Sequence, residues 1–123
     1  MGSWITSFLE LCCGPGRHAH ASLGVASLGL DVSLAMAAYA ATLISSASTA
    51  TFCVGDVQAL HCCAQVCDAA SFDAVTCPFS SFTHLVDTED ALACLRGVLE
   101  VLAPRGVFAL EFSKQIGLLT GPW

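Results

Sequence analysis

Five short apolar segments divide the chain, and each is bounded by a glycine, a proline or a carboxylate. Short apolar runs with such boundaries are typical of β-strands that are buried on both faces. The strands are predicted at residues 4–12, 25–31, 51–54, 72–77 and 107–112.

Helical signals lie between the first four of these strands. Ser33 is placed to cap an alanine-rich helix over residues 34–44. A short helix is also predicted over residues 17–23. Residues 58–71 show no clear period, so they fit either a short helix or a loop.

A longer helix is predicted before the fifth strand. Thr88 is placed to cap it. Glu89 and Asp90 in its first turn would stabilise the helix, because carboxylates interact favourably with the positive end of the helix dipole. The turn at residues 103–106 ends it. An apolar stripe at helical spacing is predicted to face the core, formed by Leu92, Leu95, Val98, Leu99 and Leu102.

The alternation of strands and helices predicts the fold class. Parallel strands need crossover connections, which are right-handed, and helices commonly provide them. We therefore expect an α/β fold with a doubly wound, mostly parallel sheet. Its 123 residues allow one domain, residues 1–123.

Composition narrows the functional class. A hydrophobic fraction of 55% with 11% charged residues is typical of a folded domain. The net charge of −6, with four lysines and arginines in all, leaves little to neutralise a phosphate backbone, so we expect no nucleic-acid partner. Eight cysteines are present, and five lie in apolar segments as expected for buried free thiols, namely Cys12, Cys13, Cys53, Cys77 and Cys94.

These thiols favour a reducing compartment, and the N-terminus carries no basic region of a signal peptide, so a cytoplasmic protein is predicted. Residues 32–54 carry no charge, but they are mostly Ala, Ser and Thr, which disfavours a membrane helix. His61 lies beside Cys62, Cys63 and Cys67, yet no second pair completes a zinc spacing, so no metal site is predicted.

The first strand leads into the most informative motif. Glu10 lies near its end, and a glycine turn follows with Gly14 and Gly16. Residues 14–19 also satisfy the GxGxxG/A pattern of dinucleotide-binding proteins, with Asp31 as the ribose acceptor, so an NAD-binding oxidoreductase is one alternative.

Four segments in order resemble the class I S-adenosylmethionine-dependent methyltransferases. Residues 10–16 match the acidic residue and GxGxG turn of that family, although Cys12 stands where its first glycine would be. The later matches are the second-strand ending at 29–33, the third-strand turn at 55–57, and the fourth strand 72–77 with the LxPGG-like turn at 102–107, where Arg105 replaces the second glycine. The resemblance implies a Rossmann-like fold, S-adenosyl-L-methionine as cofactor and methyl transfer as the reaction.

The same resemblance implies roles for particular residues. Gly14 and Gly16 would let the amino-acid tail of the cofactor approach the backbone. Asp31 would accept the ribose hydroxyls, although a helix-capping role is the plainer alternative. Asp56 would accept the adenine amino group, with an Asx turn as its alternative. The whole implied cofactor set is Glu10, Cys12, Gly14, Gly16, Asp31, Val32, Asp56, Val57 and Cys77, in which the two valines would sandwich the adenine ring.

The segment after the fourth strand usually faces the methyl acceptor in this family. Here it contains Phe79 and Ser80, and it is similar to the small-molecule branch, which implies a small O or N acceptor. His84 is the candidate general base, because imidazole titrates near neutral pH. The alternative is a histidine that only bonds local backbone.

The family sheet normally has seven strands, and this chain ends soon after the fifth. We therefore expect a truncated domain that lacks the C-terminal strands, with residues 107–112 as an exposed sheet edge through which the chain could associate. A non-catalytic remnant that acts as a binding or pairing module is the alternative function.

Overall fold

Five parallel strands form one sheet in the computed structural model, which describes residues 5–16, 25–44, 49–69, 71–77 and 87–111. The strand order is β3-β2-β1-β4-β5. The strands are β1 (Ser7–Leu11), β2 (Ala26–Asp31), β3 (Ala50–Val54), β4 (Phe72–Cys77) and β5 (Leu102–Leu110). This order confirms the doubly wound α/β prediction, and it places the reversal of strand order between β1 and β4.

Three α-helices lie in the described residues: α1 (Leu34–Thr42), α2 (Ala64–Ala69) and α3 (Thr88–Val101). A 3₁₀ turn at Leu60–Cys62 precedes α2, so the segment without a clear period is mostly helical. None of these helices is long and apolar enough to cross a bilayer. The helix predicted at residues 17–23 lies outside the described residues.

The core lies on the face of the sheet that α2 and α3 cover. Alternate strand residues point to it, because successive side chains of a strand alternate between faces. The helices contribute Val66 and Val98 to the same cluster. The fully buried strand residues there are Leu9, Leu11, Leu30 and Val75. On the other face, α1 packs against β2 and β3.

Two sequence predictions for α3 were wrong in detail. The N-cap is Asp87, whose carboxylate accepts the Glu89 N–H at 3.1 Å, and Thr88 is the first helical residue. Leu99 is 72% exposed rather than part of the core. The buried face is formed by Cys94, Val98 and Val101, and Leu99 lies about 100° around the helix from Val98.

The predicted turn before the fifth strand is a bulge inside β5. Leu102 pairs with Phe72, whereas Val107 pairs with Ala74, so the residues at 103–106 loop out from the ladder. A Cβ on Gly106 would lie 2.6 Å from Leu102 Cγ, so the tight return requires glycine. The strand thus begins five residues earlier than predicted, and its predicted end at Phe112 lies outside the described residues.

The amino ends of β1 and β4 are tied by a carboxylate. Asp73 accepts hydrogen bonds from Thr6 N at 2.8 Å, Thr6 Oγ1 at 2.9 Å and Ser7 N at 3.3 Å. These donors, the Thr6 N–H above all, hold the pKa of Asp73 below its usual range. This contact fixes the register of the two strands at the end remote from the glycine turn.

All eight cysteines are free thiols. Cys13, Cys53, Cys77 and Cys94 are buried as predicted, but Cys12 is only partly buried. Cys63, which was not among the thiols predicted to be buried, is buried too. Burial raises the pKa of Cys13 and Cys53 to about 12 and that of Cys94 to about 11. For Cys13, the charges of Asp31 and Glu10 add to the effect of burial, and for Cys53 the hydrogen bond with Cys63 does so.

We expect stability to fall with rising pH above 9. Unfolded thiols ionise near the ordinary value of 9.0, whereas the folded thiols keep their protons to about 11 or 12. The folded state therefore binds more protons in this window, and each buried thiol lowers the unfolding free energy by about 1.4 kcal/mol per pH unit. Urea titrations between pH 8 and 10.5 measure the slope.

Cys94→Ala should make that slope shallower, whereas Cys62→Ala, at an exposed thiol, should leave it unchanged. Equal slopes for the wild type and Cys94→Ala would contradict the assignment.

Candidate functional site

The glycine turn, residues 12–16, leaves the end of β1 in a left-handed conformation. The φ angles of Cys12, Gly14 and Gly16 are 53°, 53° and 75°. Gly16 N–H donates to Cys13 O at 2.9 Å, which closes the turn. The left-handed Cys12 ends β1 at Leu11, one residue earlier than the sequence predicts. Among the described residues, Cys12 is the only one other than glycine with positive φ, and such a conformation costs about 1–2 kcal/mol.

The two glycines of the turn differ in the room around them. A Cβ on Gly14 would meet Met36 Cε at 3.6 Å, an ordinary contact, so there only the backbone conformation demands glycine. A Cβ on Gly16 would lie 2.4 Å from Phe52 Cε1, so both conformation and close approach demand it. The surface of the turn is therefore bare backbone at Gly14 and packed backbone at Gly16.

Asp31 joins the turn to the end of β2. Its Oδ2 accepts the Gly14 N–H at 2.9 Å, and its Oδ1 accepts the Ser33 N–H at 2.9 Å. Cys13 N–H donates to Leu30 O at 2.9 Å, so the residues before Gly14 and Asp31 are joined by a backbone hydrogen bond as well. The partly buried carboxylate is thus oriented by two backbone donors at the carboxyl ends of β1 and β2.

Ser33 caps α1, as the sequence predicts. Its side chain accepts the Met36 N–H at 3.2 Å. Asp31 accepts the Ser33 N–H, which precedes the helix, and its second oxygen reaches the turn. Capping therefore does not account for the Asp31 carboxylate.

The end of β3 adds a second carboxylate to this edge. Gly55 N–H donates to Asp31 O at 3.0 Å, so the segment after β3 runs beside Asp31. Asp56 is exposed, and its Oδ1 accepts the Gln58 N–H at 2.8 Å, which is the Asx turn that the sequence left as the alternative. Val57 is partly buried against the core, whereas Val32 is 75% exposed beside Asp31.

Glu10 and Cys77 lie deeper than the other candidates. Glu10 is 1% exposed, and in the strand register it lies between Gly29 and Thr76. Cys77 is 2% exposed, and its side chain belongs to the core cluster. Its backbone carbonyl accepts the Glu111 N–H at 3.1 Å.

Three candidates on the acceptor side lie outside the described residues, namely Phe79, Ser80 and His84. The cofactor-side candidates from Glu10 to Cys77 all lie at the carboxyl ends of β1 to β4 or in the turns that follow. Within the described residues, no group of three or more His, Cys, Asp or Glu side chains is arranged to hold a metal ion.

Sequence reasoning missed Phe52 on β3 and Met36 on α1, which border the turn at Gly16 and Gly14. Neither belongs to a motif, and both read as ordinary apolar residues of their elements. Only a small residue at Gly29, opposite Phe52 in the register, hints that a large ring crosses β2 at that point.

A separate cavity of about 360 Å³ lies at the opposite, amino-terminal ends of the strands. Hydroxyl and apolar side chains line it, among them Ser7, Ser27, Thr49, Thr51 and Phe72. None of the described residues that line it carries a charged side chain. It is therefore distinct from the carboxylate-bearing group around the glycine turn.

A parallel sheet with a glycine turn at its switch point and a carboxylate at the end of the neighbouring strand is the arrangement of the Rossmann-like class of domains. The chain belongs to the methyltransferase domain family, whose model matches residues 8–106. No curated protein sequence gives a significant match.

Several solved structures share the fold, and two of the three described here are methyltransferases. DesVI of Streptomyces venezuelae is 28% identical, with a TM-score of 0.73 over 89% of this chain and 44% of its own. CalS10, a SAM-bound amino pentose methyltransferase of Micromonospora echinaspora, is 25% identical, with a TM-score of 0.75 over 90% and 44%. The sugar N-methyltransferase KedS8 of a Streptoalloteichus species is 21% identical, with a TM-score of 0.76 over 97% and 45%. The chain thus spans less than half the length of these three proteins.

Proposed function

We propose that the chain binds S-adenosyl-L-methionine at the glycine turn and catalyses methyl transfer to a small-molecule O or N acceptor. The observation that carries the proposal is the Asp31 carboxylate, held by backbone donors from both the turn and the start of α1. Membership of the methyltransferase domain family supports the same proposal. When bound, the cofactor supplies an electrophilic methyl group on a sulfonium.

Asp31 has the remaining capacity to hold a ribose. A carboxylate offers about four lone-pair positions, and Gly14 N–H and Ser33 N–H occupy two of them. One position on each oxygen is left for two adjacent hydroxyl donors. The backbone bonds fix the carboxylate in place before any ligand binds, which lowers the entropic cost of binding.

The surroundings of Asp31 suit a nucleoside. Val32 and Leu34 are 75% and 72% exposed beside the carboxylate, and a flat heterocycle would cover such apolar surface. Asp56 follows β3 on the same edge, where it would accept an amino group of the adenine. Its Oδ1 is engaged with Gln58 N–H at 2.8 Å, which leaves its other oxygen for this role.

The charge at the turn also suits the cofactor. Asp31 and Glu10 are both close enough to Cys13 to raise the pKa of its thiol further, beyond the effect of burial. The same negative potential would favour a cationic sulfonium near the turn. Because Gly14 has no side chain, a ligand could approach the turn closely at this position.

The acceptor assignment rests on the family and on the relatives. CalS10 acts on an amino pentose, and a small polar acceptor of that kind is what we propose here. Phe79 and Ser80 would contact this acceptor and His84 would accept its proton, while the other cofactor residues proposed are Cys12, Gly16, Val57 and Cys77. Eight free thiols support a reducing, cytoplasmic setting, and the net charge of −6 argues against nucleic acid as the acceptor.

Isothermal titration with S-adenosylhomocysteine tests the cofactor proposal directly. Saturable binding at or below millimolar ligand, together with no binding of NAD, is the expected result. Binding of NAD alone would favour the oxidoreductase alternative instead. Absence of heat with both ligands, for protein whose circular dichroism shows a folded sheet, would refute the cofactor site.

The pairing module is the second candidate function. β5 is the last strand of the described sheet, and Val107 and Leu110 on it are 49% and 36% exposed. An apolar edge strand of this kind is a template for pairing with another chain. Sedimentation velocity of the wild type and Val107→Lys distinguishes the two candidates, since only the pairing function requires an association that the lysine abolishes.

A further inference from the structure

The Phe52 ring lies between the glycine turn and β2. A Cβ on Gly16 would lie 2.4 Å from Phe52 Cε1, and a Cβ on Gly29 would lie 2.5 Å from Phe52 Cδ1. Phe52 pairs with Gly29 in the strand register, so its side chain crosses β2 to reach the turn. One ring therefore contacts two glycines that are distant in sequence.

Helix α1 limits the same space from another side. The Cβ of Ala40, which is fully buried, would lie 3.3 Å from a Cβ on Gly16. The ring thus occupies the volume that small residues on the turn, on β2 and on α1 leave open. Because protein interiors are close-packed, a ring that moves or changes size in such a slot displaces its neighbours.

The displacement would reach the ligand-binding atoms. Gly16 closes the turn through its N–H to Cys13 O, and Gly14, two residues before it, donates to Asp31 Oδ2 at 2.9 Å. A hydrogen bond of this length weakens steeply when its donor moves by several tenths of an ångström and loses alignment. The position of the ring is therefore coupled to the geometry between the turn and the carboxylate.

We propose that Phe52 is a positioning residue for the cofactor site, whose ring sets the distance between the glycine turn and Asp31. This inference rests on the proposed binding of S-adenosylmethionine. Phe52 itself touches no ligand in this proposal. It acts through Gly16 and Gly29, so its size matters rather than any polar group.

A double-mutant cycle tests the inference. Phe52→Leu removes support from the turn. Gly29→Ala adds a Cβ that would lie 2.5 Å from Phe52 Cδ1 and 3.0 Å from Cys13 Sγ, without backbone strain, since Gly29 lies outside the left-handed region. Each single variant should raise the Kd for S-adenosylhomocysteine by about tenfold, as losses of supporting contacts commonly do. The double variant should bind more tightly than Gly29→Ala, because leucine leaves room for the added methyl group.

Gly106→Ala is the matched control. Its Cβ would meet Leu102 Cγ at 2.6 Å, a similar overlap, in the β5 bulge away from the turn. It should lower stability without changing the Kd measured well below the unfolding temperature. A purely structural role for Phe52 would give the same pattern as this control.

Three results would overturn the inference while leaving the cofactor proposal intact. They are unchanged affinity in folded Phe52→Leu, additive effects in the cycle, and an equal loss of affinity in Gly106→Ala. If Gly29→Ala fails to fold, Phe52→Leu and Phe52→Met decide the question, with a graded rise in Kd expected as the ring is replaced by slimmer side chains. If the wild type itself binds no S-adenosylhomocysteine, the cofactor proposal fails first.

Discussion

Asp31→Ala is expected to raise the Kd for S-adenosylhomocysteine by roughly 100-fold. The variant loses two charge-assisted hydrogen bonds to the ribose, each contributing about 1.5 kcal/mol. Together these contribute about 3 kcal/mol, which corresponds to roughly two orders of magnitude in Kd. Isothermal titration at a temperature where both proteins are folded measures the change.

Two further variants make this experiment specific. Asp68→Ala removes an equal charge from an exposed position on α2, so it should leave the Kd within about twofold of the wild type. Asp31→Asn is not a mild replacement, because both carboxylate oxygens accept backbone N–H groups and an amide NH₂ would face one of those donors. Asp31→Asn should therefore also lose most of the affinity for S-adenosylhomocysteine. Asp31→Ala with wild-type affinity would rule out the carboxylate as the ribose acceptor.

The second large effect is expected at Gly16. Gly16→Ala should lower the unfolding free energy by about 2–5 kcal/mol, a large share of the stability of a domain of this size. The left-handed φ of 75° contributes about 1–2 kcal/mol of this loss. The clash at 2.4 Å with Phe52 contributes about 1–3 kcal/mol more. Urea unfolding followed by circular dichroism measures it.

Two other glycines provide graded controls for that measurement. Gly14→Ala has the same backbone problem at φ 53° but an ordinary contact with Met36 at 3.6 Å, so only about 1–2 kcal/mol should be lost. Gly97→Ala lies within α3, where alanine favours the helix, and its Cβ would meet Leu60 at 3.3 Å. Its effect should stay within about 1 kcal/mol. Equal losses at all three positions would contradict the packing argument.

Local sequence signals were sufficient to predict most of the fold. The bounds of β4 were predicted in full and those of β2 and β3 to within one residue, because each is a short apolar run with a clear stop at its end. Ser33 at the start of α1 was likewise readable, since a capping side chain acts on its own helix. The alternation of these elements was sufficient for the parallel sheet.

The predictions were wrong where contacts with residues distant in sequence determine the local structure. Leu99 has the right spacing for a helical stripe, but the face that packs on the sheet runs through Cys94 and Val98, so Leu99 is exposed. Asp87 rather than Thr88 caps α3, and either side chain was suited to do so. The pairing of Leu102 with Phe72 extends β5 across a bulge that the sequence presents only as a turn.

The candidate site shows the same division. Motif order alone brought Glu10, Gly14, Asp31 and Asp56 to one edge, because parallel strands end at the same side of a sheet. The orientation of Asp31 could not be foreseen, since its hydrogen bond to Gly14 joins residues 17 positions apart. The burial of the Cys77 side chain in the core likewise follows from which face its position in β4 presents.

The class of fold, the glycine turn at its switch point and the carboxylates near the strand ends could be predicted from the sequence, because each rests on local propensity and order along the chain. How tightly that turn is held depends on contacts between elements that are distant in sequence. The left-handed backbone at Cys12, the tie from Gly14 to Asp31 and the Phe52 ring between Gly16 and Gly29 all arise when separate strands are packed together. Such contacts depend on distances of a few tenths of an ångström, and no pattern of residue types along a chain specifies distances at that scale.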